Sequence, residues 1–195
     1  MVMTESNFAT SIIRQNSLGL TGFQRWAFYP GMLFDAQYAW WGDGKKRARP
    51  HEGLDMCLYE DRQGTQHALS SSVRIPAIYE GLVVKVDDDF LGKSIYVKHG
   101  LFDSSGNVLF TAYGHTAPAR GIRPGLEVAE GQVMATVAGD AGKKGAPPPH
   151  LHISAVWVPE SLGWDDLDWA TISAREAVRP VDPLGLLGLR YVVLE

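Results

Sequence analysis

The chain has 195 residues, 45% of them hydrophobic, which suffices for one domain with a real core and some extension. Its 18 basic and 22 acidic residues leave a net charge of -4, and the longest basic run is Lys45, Lys46 and Arg47, so nucleic-acid binding has little compositional support and that run reads as a solvated loop. The single cysteine, Cys57, excludes an intramolecular disulfide and any CxxC motif; no stretch has the length and apolarity of a membrane span, and residues 1–20 lack an apolar core of signal-peptide length.

Taken in chain order, "TESNFATSIIRQ" (4–15) predicts a helix with Thr4 as its N-cap. Residues 1–45 read as an extension packing on the core. Its aromatic stretch, with Tyr38, Trp40 and Trp41, is expected to cover a hydrophobic face rather than wall a cleft. "RPHEGLDMCLY" follows, with His51 and Asp55 four apart. An HExxH helix is excluded, because Asp55 stands where a second histidine is needed and Pro50 and Gly53 spoil the helix. A turn leading into a strand fits better, with Cys57 as a small buried thiol. Runs rich in Val, Ile, Phe and Tyr at 81–86, 94–100, 107–115, 132–139 and 150–158 predict strands of a mainly β, antiparallel domain. The segments 87–93 and 102–107 carry turn chemistry and predict hairpin loops. "GWDDLDWATISAREAV" (163–178) predicts a helix, acidic early and with Arg175 late, before a Pro- and Gly-punctuated exit over 179–188.

The histidines carry the chemistry. In "PHLHISAV" a strand's alternation puts His150, His152 and Ser154 on one face and Leu151, Ile153 and Ala155 on the other, toward the core. Two imidazoles on one face can share a metal ion, divide metal and substrate between them, or simply be a hydrogen-bonded pair. For an isolated HxH the last reading wins. His51 and Asp55 are both ordinary zinc ligand types. His115, at the end of "VLFTAYGH", would alone read as a surface or capping imidazole.

In combination these elements are more specific than any one of them. His-x3-Asp in "HEGLD", "SIYVKHG", Tyr-x-His in "TAYGH", the turn-rich "GLEVAEGQVMATVAGDAG", "PHLHIS" and the closing "RPVDPL" occur in one order over residues 48–186. The chain thereby resembles the M23 peptidases, the lysostaphin/LytM-like zinc endopeptidases of peptidoglycan. The resemblance implies an antiparallel β-sheet or β-sandwich core with short helical extensions. It implies a peptidase domain over 46–187 with an insertion at about 157–178, and a tail over 188–195. It implies one Zn2+ held by His51, Asp55 and His152, with His115 and His150 as catalytic histidines beside the metal. His99 matches a structural position of the family, and His67 matches nothing and is expected to face solvent. Peptidoglycan peptides are the implied substrate, a monomer the expected state, and a periplasmic or extracellular location the implied setting. The family also contains non-catalytic members that bind the wall or activate other hydrolases, typically with ligands replaced; here none is replaced. A carboxypeptidase of the D-Ala-D-Ala type would need a longer His-to-Asp spacing and a Glu-x-x-His pair, which the chain lacks. The loop "AGDAGKKGAPPPH" is longer, more basic and richer in proline than the family's, and its three prolines, Pro147 to Pro149, are expected to form a rigid rim to the cleft.

Overall fold

Alternating apolar residues, many of them β-branched or aromatic, put most ordered segments of this chain into strands. The computed structural model describes residues 4–139 and 147–195; the basic part of the loop before the three prolines, 140–146, lies outside the described residues. The first half holds α1 (Phe8–Gln15), β1 (Phe23–Phe28), β2 (Leu54–Met56), β3 (Leu58–Asp61), β4 (Gln66–Ala68), β5 (Arg74–Pro76) and β6 (Gly81–Asp88). The second holds β7 (Lys93–Phe102), β8 (Val108–Pro118), β9 (Glu127–Val128), β10 (Val133–Val137), β11 (Leu151–Val158), α2 (Trp169–Ala174), β12 (Arg179–Val181), α3 (Leu184–Leu187) and β13 (Tyr191–Val193).

The described strands form two sheets. The larger runs β12-β11-β8-β7-β6-β9, with β2 added beside β11, and β10 joining β8 to β5. All its pairings are antiparallel. The smaller has the order β13-β1-β3-β4 and is antiparallel except for the parallel β1–β13 pair. The mainly β, antiparallel fold expected from the sequence is therefore present.

One apolar cluster joins both sheets and α1, through Phe8, Ile12, Trp26, Phe28, Leu54, Tyr113, Leu151 and Ile153. A second lies on the opposite face of β8 and β11, where Phe110, Val156 and Val158 meet Leu167 and Ile172 of the 157–178 segment. Both faces of β11 are thus covered, and all eight of its residues are buried. A polar side chain on β11 consequently sits where only a fully satisfied or functional group is tolerated.

Two helical expectations are corrected in extent. The first helix begins at Phe8, with Asn7 at its N-cap, while the Thr4 carbonyl instead accepts a hydrogen bond from Tyr79. The 163–178 segment is broken. A short 3-10 turn (Trp164–Asp166) gives way to extended Leu167; Asp168 then caps α2 by accepting from the Thr171 N–H at 2.7 Å. Arg175 ends it in the left-handed region at φ 60°.

Candidate metal centre and cleft

Strand register assembles the site. On β11, His152 stands opposite Asp55 of β2 on one side and Gly114 of β8 on the other. Gly53 lets the chain enter β2 so close to β11. A β-carbon there would press into the Ile153 carbonyl and lie 2.6 Å from Ser154 Oγ and 2.7 Å from His152 Nε2. Gly53→Ala is therefore expected to cost about 1–3 kcal/mol of stability and to lower metal affinity, measurable by denaturant titration and metal analysis of the purified variant.

His51 lies in the turn before β2, pinned by the N-terminal segment. Its N–H donates to the Ala36 carbonyl at 3.0 Å, and its carbonyl accepts from Asp35 N–H at 2.9 Å and Arg175 Nη2 at 3.1 Å. Its Nδ1–H faces the Leu33 carbonyl at 2.9 Å, which turns the Nε2 lone pair inward. His152 is fixed the other way round. The Ser154 hydroxyl donates to the Glu52 carbonyl at 3.0 Å, so it must accept from His152 Nε2–H, 3.1 Å away, leaving Nδ1 bare.

His51 Nε2, His152 Nδ1 and Asp55 Oδ1 converge, all three residues buried. The separations are 3.3 Å between the two nitrogens, 3.3 Å from His51 to Asp55 and 2.7 Å from His152 to Asp55. A tetrahedral cation with ligands at roughly 2.0–2.1 Å wants them spaced by roughly 3.3 Å. Two lone pairs and a carboxylate, with both ring protons spent elsewhere, repel one another unless a cation lies between them. The donor set fits a metal ion. Without a metal a proton takes the cation's place: burial opposes ionisation of Asp55, yet the charge of a protonated His51 and the hydrogen bonds that the two imidazoles donate when protonated hold its carboxyl well below the usual range. Burial likewise opposes protonation of His51, but the facing Asp55 outweighs it and raises the imidazole.

The two remaining histidines stand beside this centre. The ring of His150 lies 4.8 Å from that of His115, whose own ring is 6.0 Å from that of His152. His150 donates Nδ1–H to the Pro148 carbonyl at 2.8 Å, and its Nε2 stands 3.6 Å from Asp55 Oδ1. Burial pushes its imidazole down to about 4, with Asp55 only partly offsetting that. His115 occupies a β-bulge: between the pairs Lys93–Thr116 and Ile95–Tyr113, two residues of β8 face one of β7. It takes the left-handed φ of 60°, which a non-glycine residue adopts at a cost.

Asp89 holds that bulge. Its Oδ2 accepts the His115 N–H at 2.7 Å and its Oδ1 lies 3.3 Å from His115 Nδ1. Ser94 Oγ donates to Asp89 at 2.8 Å, and Trp169 Nε1 donates to Ser94 at 2.7 Å while its ring meets His152 edge-on at 4.8 Å. Trp40 Nε1 donates to Asp55 Oδ2 at 2.7 Å, and the same indole packs edge-on against His150 at 5.4 Å. A cleft of about 270 Å3 opens over these groups, with Trp41, Arg47, Phe90 and Pro147 at its walls.

All five histidine and aspartate positions singled out in the sequence meet at one site. Several others there were not anticipated. Asp89 read only as turn chemistry, which it also supplies by accepting the Leu91 and Gly92 N–H groups. Of the three aromatics expected to cover a hydrophobic face, Trp40 packs against the core, though its indole nitrogen serves the site; Trp41 instead walls the cleft and Tyr38 is exposed. Arg47 read as solvated, and Ser94 and Trp169 carried no signal beyond their strand and helix. Elsewhere, Cys57 is buried, its thiol pushed up to about 12 by burial and the Asp55 charge. His99 is buried between the Glu80 carbonyl and Thr111 Oγ1, both at 2.8 Å. His67 is not free in solvent as expected: it is half-buried, paired with Asp61 at 2.7 Å and stacked on Tyr59.

The model of peptidase family M23 matches residues 60–162, over half of the chain, a span that takes in His115, His150 and His152 and leaves His51 and Asp55 just upstream. No curated protein sequence matches. Among solved structures, lysostaphin is 19% identical with a TM-score of 0.40, the match covering 60% of this chain and 39% of that one. Csd3 of Helicobacter pylori is 21% identical with a TM-score of 0.46, over 89% of this chain and 37% of that one. The catalytic domain of a mutant of the prophage-encoded M23 protein EnpA from Enterococcus faecalis is 23% identical with a TM-score of 0.38, over 66% and 82%. The chain thus spans well under half the length of lysostaphin and Csd3. No described helix is long and apolar enough to cross a membrane.

Proposed function

The chain belongs to peptidase family M23, and from that premise we propose that it is a zinc-dependent endopeptidase that hydrolyses peptide bonds in peptidoglycan stem peptides or cross-bridges. His51, Asp55 and His152 would hold one Zn2+. The observation that carries the reading is the convergence of three donor atoms of metal-ligand type, with two more imidazoles at their side. Bound zinc supplies Lewis acidity, polarising a scissile carbonyl and lowering the pKa of water to about 7 from ~15.7.

The hydrogen bonds suggest how the two histidines divide the proton work. His150 spends its only proton on Pro148, so its Nε2 presents a lone pair to the cleft and can accept a proton from an attacking water. His115 has a carboxylate behind it, so positive charge developing on its ring meets Asp89. It is suited to donate to the oxyanion or the leaving amine. Trp40 and Trp169 fix Asp55 and His152 from outside the metal shell, as groups that orient ligands do. The peptidase unit would run over 46–187, with the preceding segment bracing the His51 turn, and would act at the cell wall.

Asp89→Asn is expected to keep zinc and lower kcat about 10–100-fold, the usual cost of losing an orienting partner; steady-state kinetics with metal analysis check this. It also carries a pH signature. Burial opposes ionisation of Asp89, but the side-chain and backbone hydrogen bonds of His115 hold its carboxyl well below the ordinary range. A carboxyl depressed in this way stabilises the fold above its unfolded value of about 3.9, and the stabilisation is lost as pH falls through the folded value. The stability gap between wild type and Asp89→Asn is therefore expected to be full near neutrality and to shrink below about pH 4. Denaturant titrations at stepped pH read it.

Release of dye from purified cell wall, with and without a chelator, tests the function and separates it from a wall-binding module. Chelator-sensitive release is expected; binding without release would mean a non-catalytic module.

A further inference from the structure

The run Lys45, Lys46 and Arg47 borders the cleft. Trp41 and Arg47, which wall the metal cleft, also wall a second hollow of about 430 Å3 whose lining includes Lys45 and Lys46. The two hollows meet across this tryptophan–arginine wall. One acid, Asp43, lines the second hollow, 3.5 Å from Lys45, and both of these side chains are about 80% exposed. A pair so exposed does little to cancel the local positive field.

Arg47 is only partly committed. Its Nη2 donates to the Gly31 carbonyl at 3.1 Å and stands 3.6 Å from Asp55 Oδ2, too far for a hydrogen bond. That carboxylate is already spent, one oxygen on the metal-binding histidines and the other on Trp40. The guanidinium lies over the Trp41 ring at 4.9 Å, which sets its plane. Nε is buried and out of a ligand's reach, so the open edge is the Nη pair: no described residue bonds Nη1, and Nη2 donates only to Gly31. A guanidinium held at one corner, with donors unspent, is built for the planar two-oxygen grip of a carboxylate. The cleft's other carboxylate, Glu52, lies instead against His152 at 3.9 Å.

We infer that the Trp41–Arg47 wall is a carboxylate subsite, and that the substrate is a peptide with a free carboxylate on a residue flanking the scissile bond. Arg47 is its specificity-determining residue, and Lys45 and Lys46 extend the positive field beyond it. The inference rests on the peptidase reading and narrows its substrate: an uncharged glycine bridge would leave the wall unmatched.

Cross-linked muropeptide dimers, with their stem carboxylates free or converted to carboxamides, give the test on the zinc-loaded protein. Wild type is expected to favour the free-carboxylate dimer about 10- to 100-fold in kcat/KM, chiefly through KM. Arg47→Gln should collapse that ratio toward one, whereas Arg47→Lys should keep part of it. Zinc content is measured in each variant. Lys45→Gln with Lys46→Gln, which touches no metal ligand, should lower the ratio several-fold and serves if Arg47→Gln disturbs the metal. Equal cleavage of both dimers by wild type, or a ratio unmoved in every variant, overturns the subsite. Cleavage of neither dimer overturns the peptidase reading itself and the subsite with it.

Discussion

His152→Ala is expected to remove the metal and the activity together. His152 is the central donor, opposite Asp55 across β2–β11, with its bare Nδ1 2.7 Å from Asp55 Oδ1. Losing an orienting group outside the metal shell already costs about 10–100-fold in affinity; losing a ligand from a three-residue set costs far more, so zinc should be absent after purification. Peptide hydrolysis should fall to background. Asp55 would keep His51 at 3.3 Å and Trp40 at 2.7 Å, so the carboxylate is not stranded and the variant should still fold. Zinc binds the folded state and raises apparent stability by mass action, so added zinc should raise the wild-type Tm and leave that of His152→Ala unmoved. Metal analysis and thermal unfolding with and without zinc read both effects.

His115→Ala should separate what His152→Ala joins. The converging donor set is His51, Asp55 and His152, and His115 stands outside it on a bulge tied to Asp89. The variant should carry a full complement of zinc while kcat falls about 10²–10⁴-fold, the range for losing a positioned acid or base. Its fold should persist, because the backbone hydrogen bond to Asp89 needs no imidazole. Loss of zinc in this variant would instead make His115 a ligand and require a different division of roles.

Strand alternation and short spacings are legible in the local sequence pattern. The period-two run over 150–158 puts His150 and His152 on one face and Leu151 and Ile153 in the core; β11 has that alternation, with His150 the residue just before it. The short His51–Asp55 spacing with Gly53 between them already suggested a turn entering a strand. Groups that meet only through the sheet's register were out of reach. Asp89 and His115 are 26 residues apart, and nothing in "DDDF" tells which of its carboxylates will cap a bulge on the neighbouring strand. Trp40 and Arg47 reach Asp55 from a loop with no period of its own. The 163–178 segment has helical composition, but Asp168 prefers to cap and Arg175 to close, so only Trp169–Ala174 winds and Trp169 turns toward the site.

The proposed zinc site of His51, Asp55 and His152 and the proposed hydrolysis of cell-wall peptide bonds can be read in one experiment. The most direct test is mass spectrometry of purified peptidoglycan incubated with protein that has been stripped of metal and then reloaded with one equivalent of zinc. Fragments with a new amino and a new carboxyl terminus at one peptide bond are expected from the reloaded protein, and none from the stripped protein or from His152→Ala. Stoichiometric zinc held at wild-type affinity with no new termini would contradict the proposed hydrolysis.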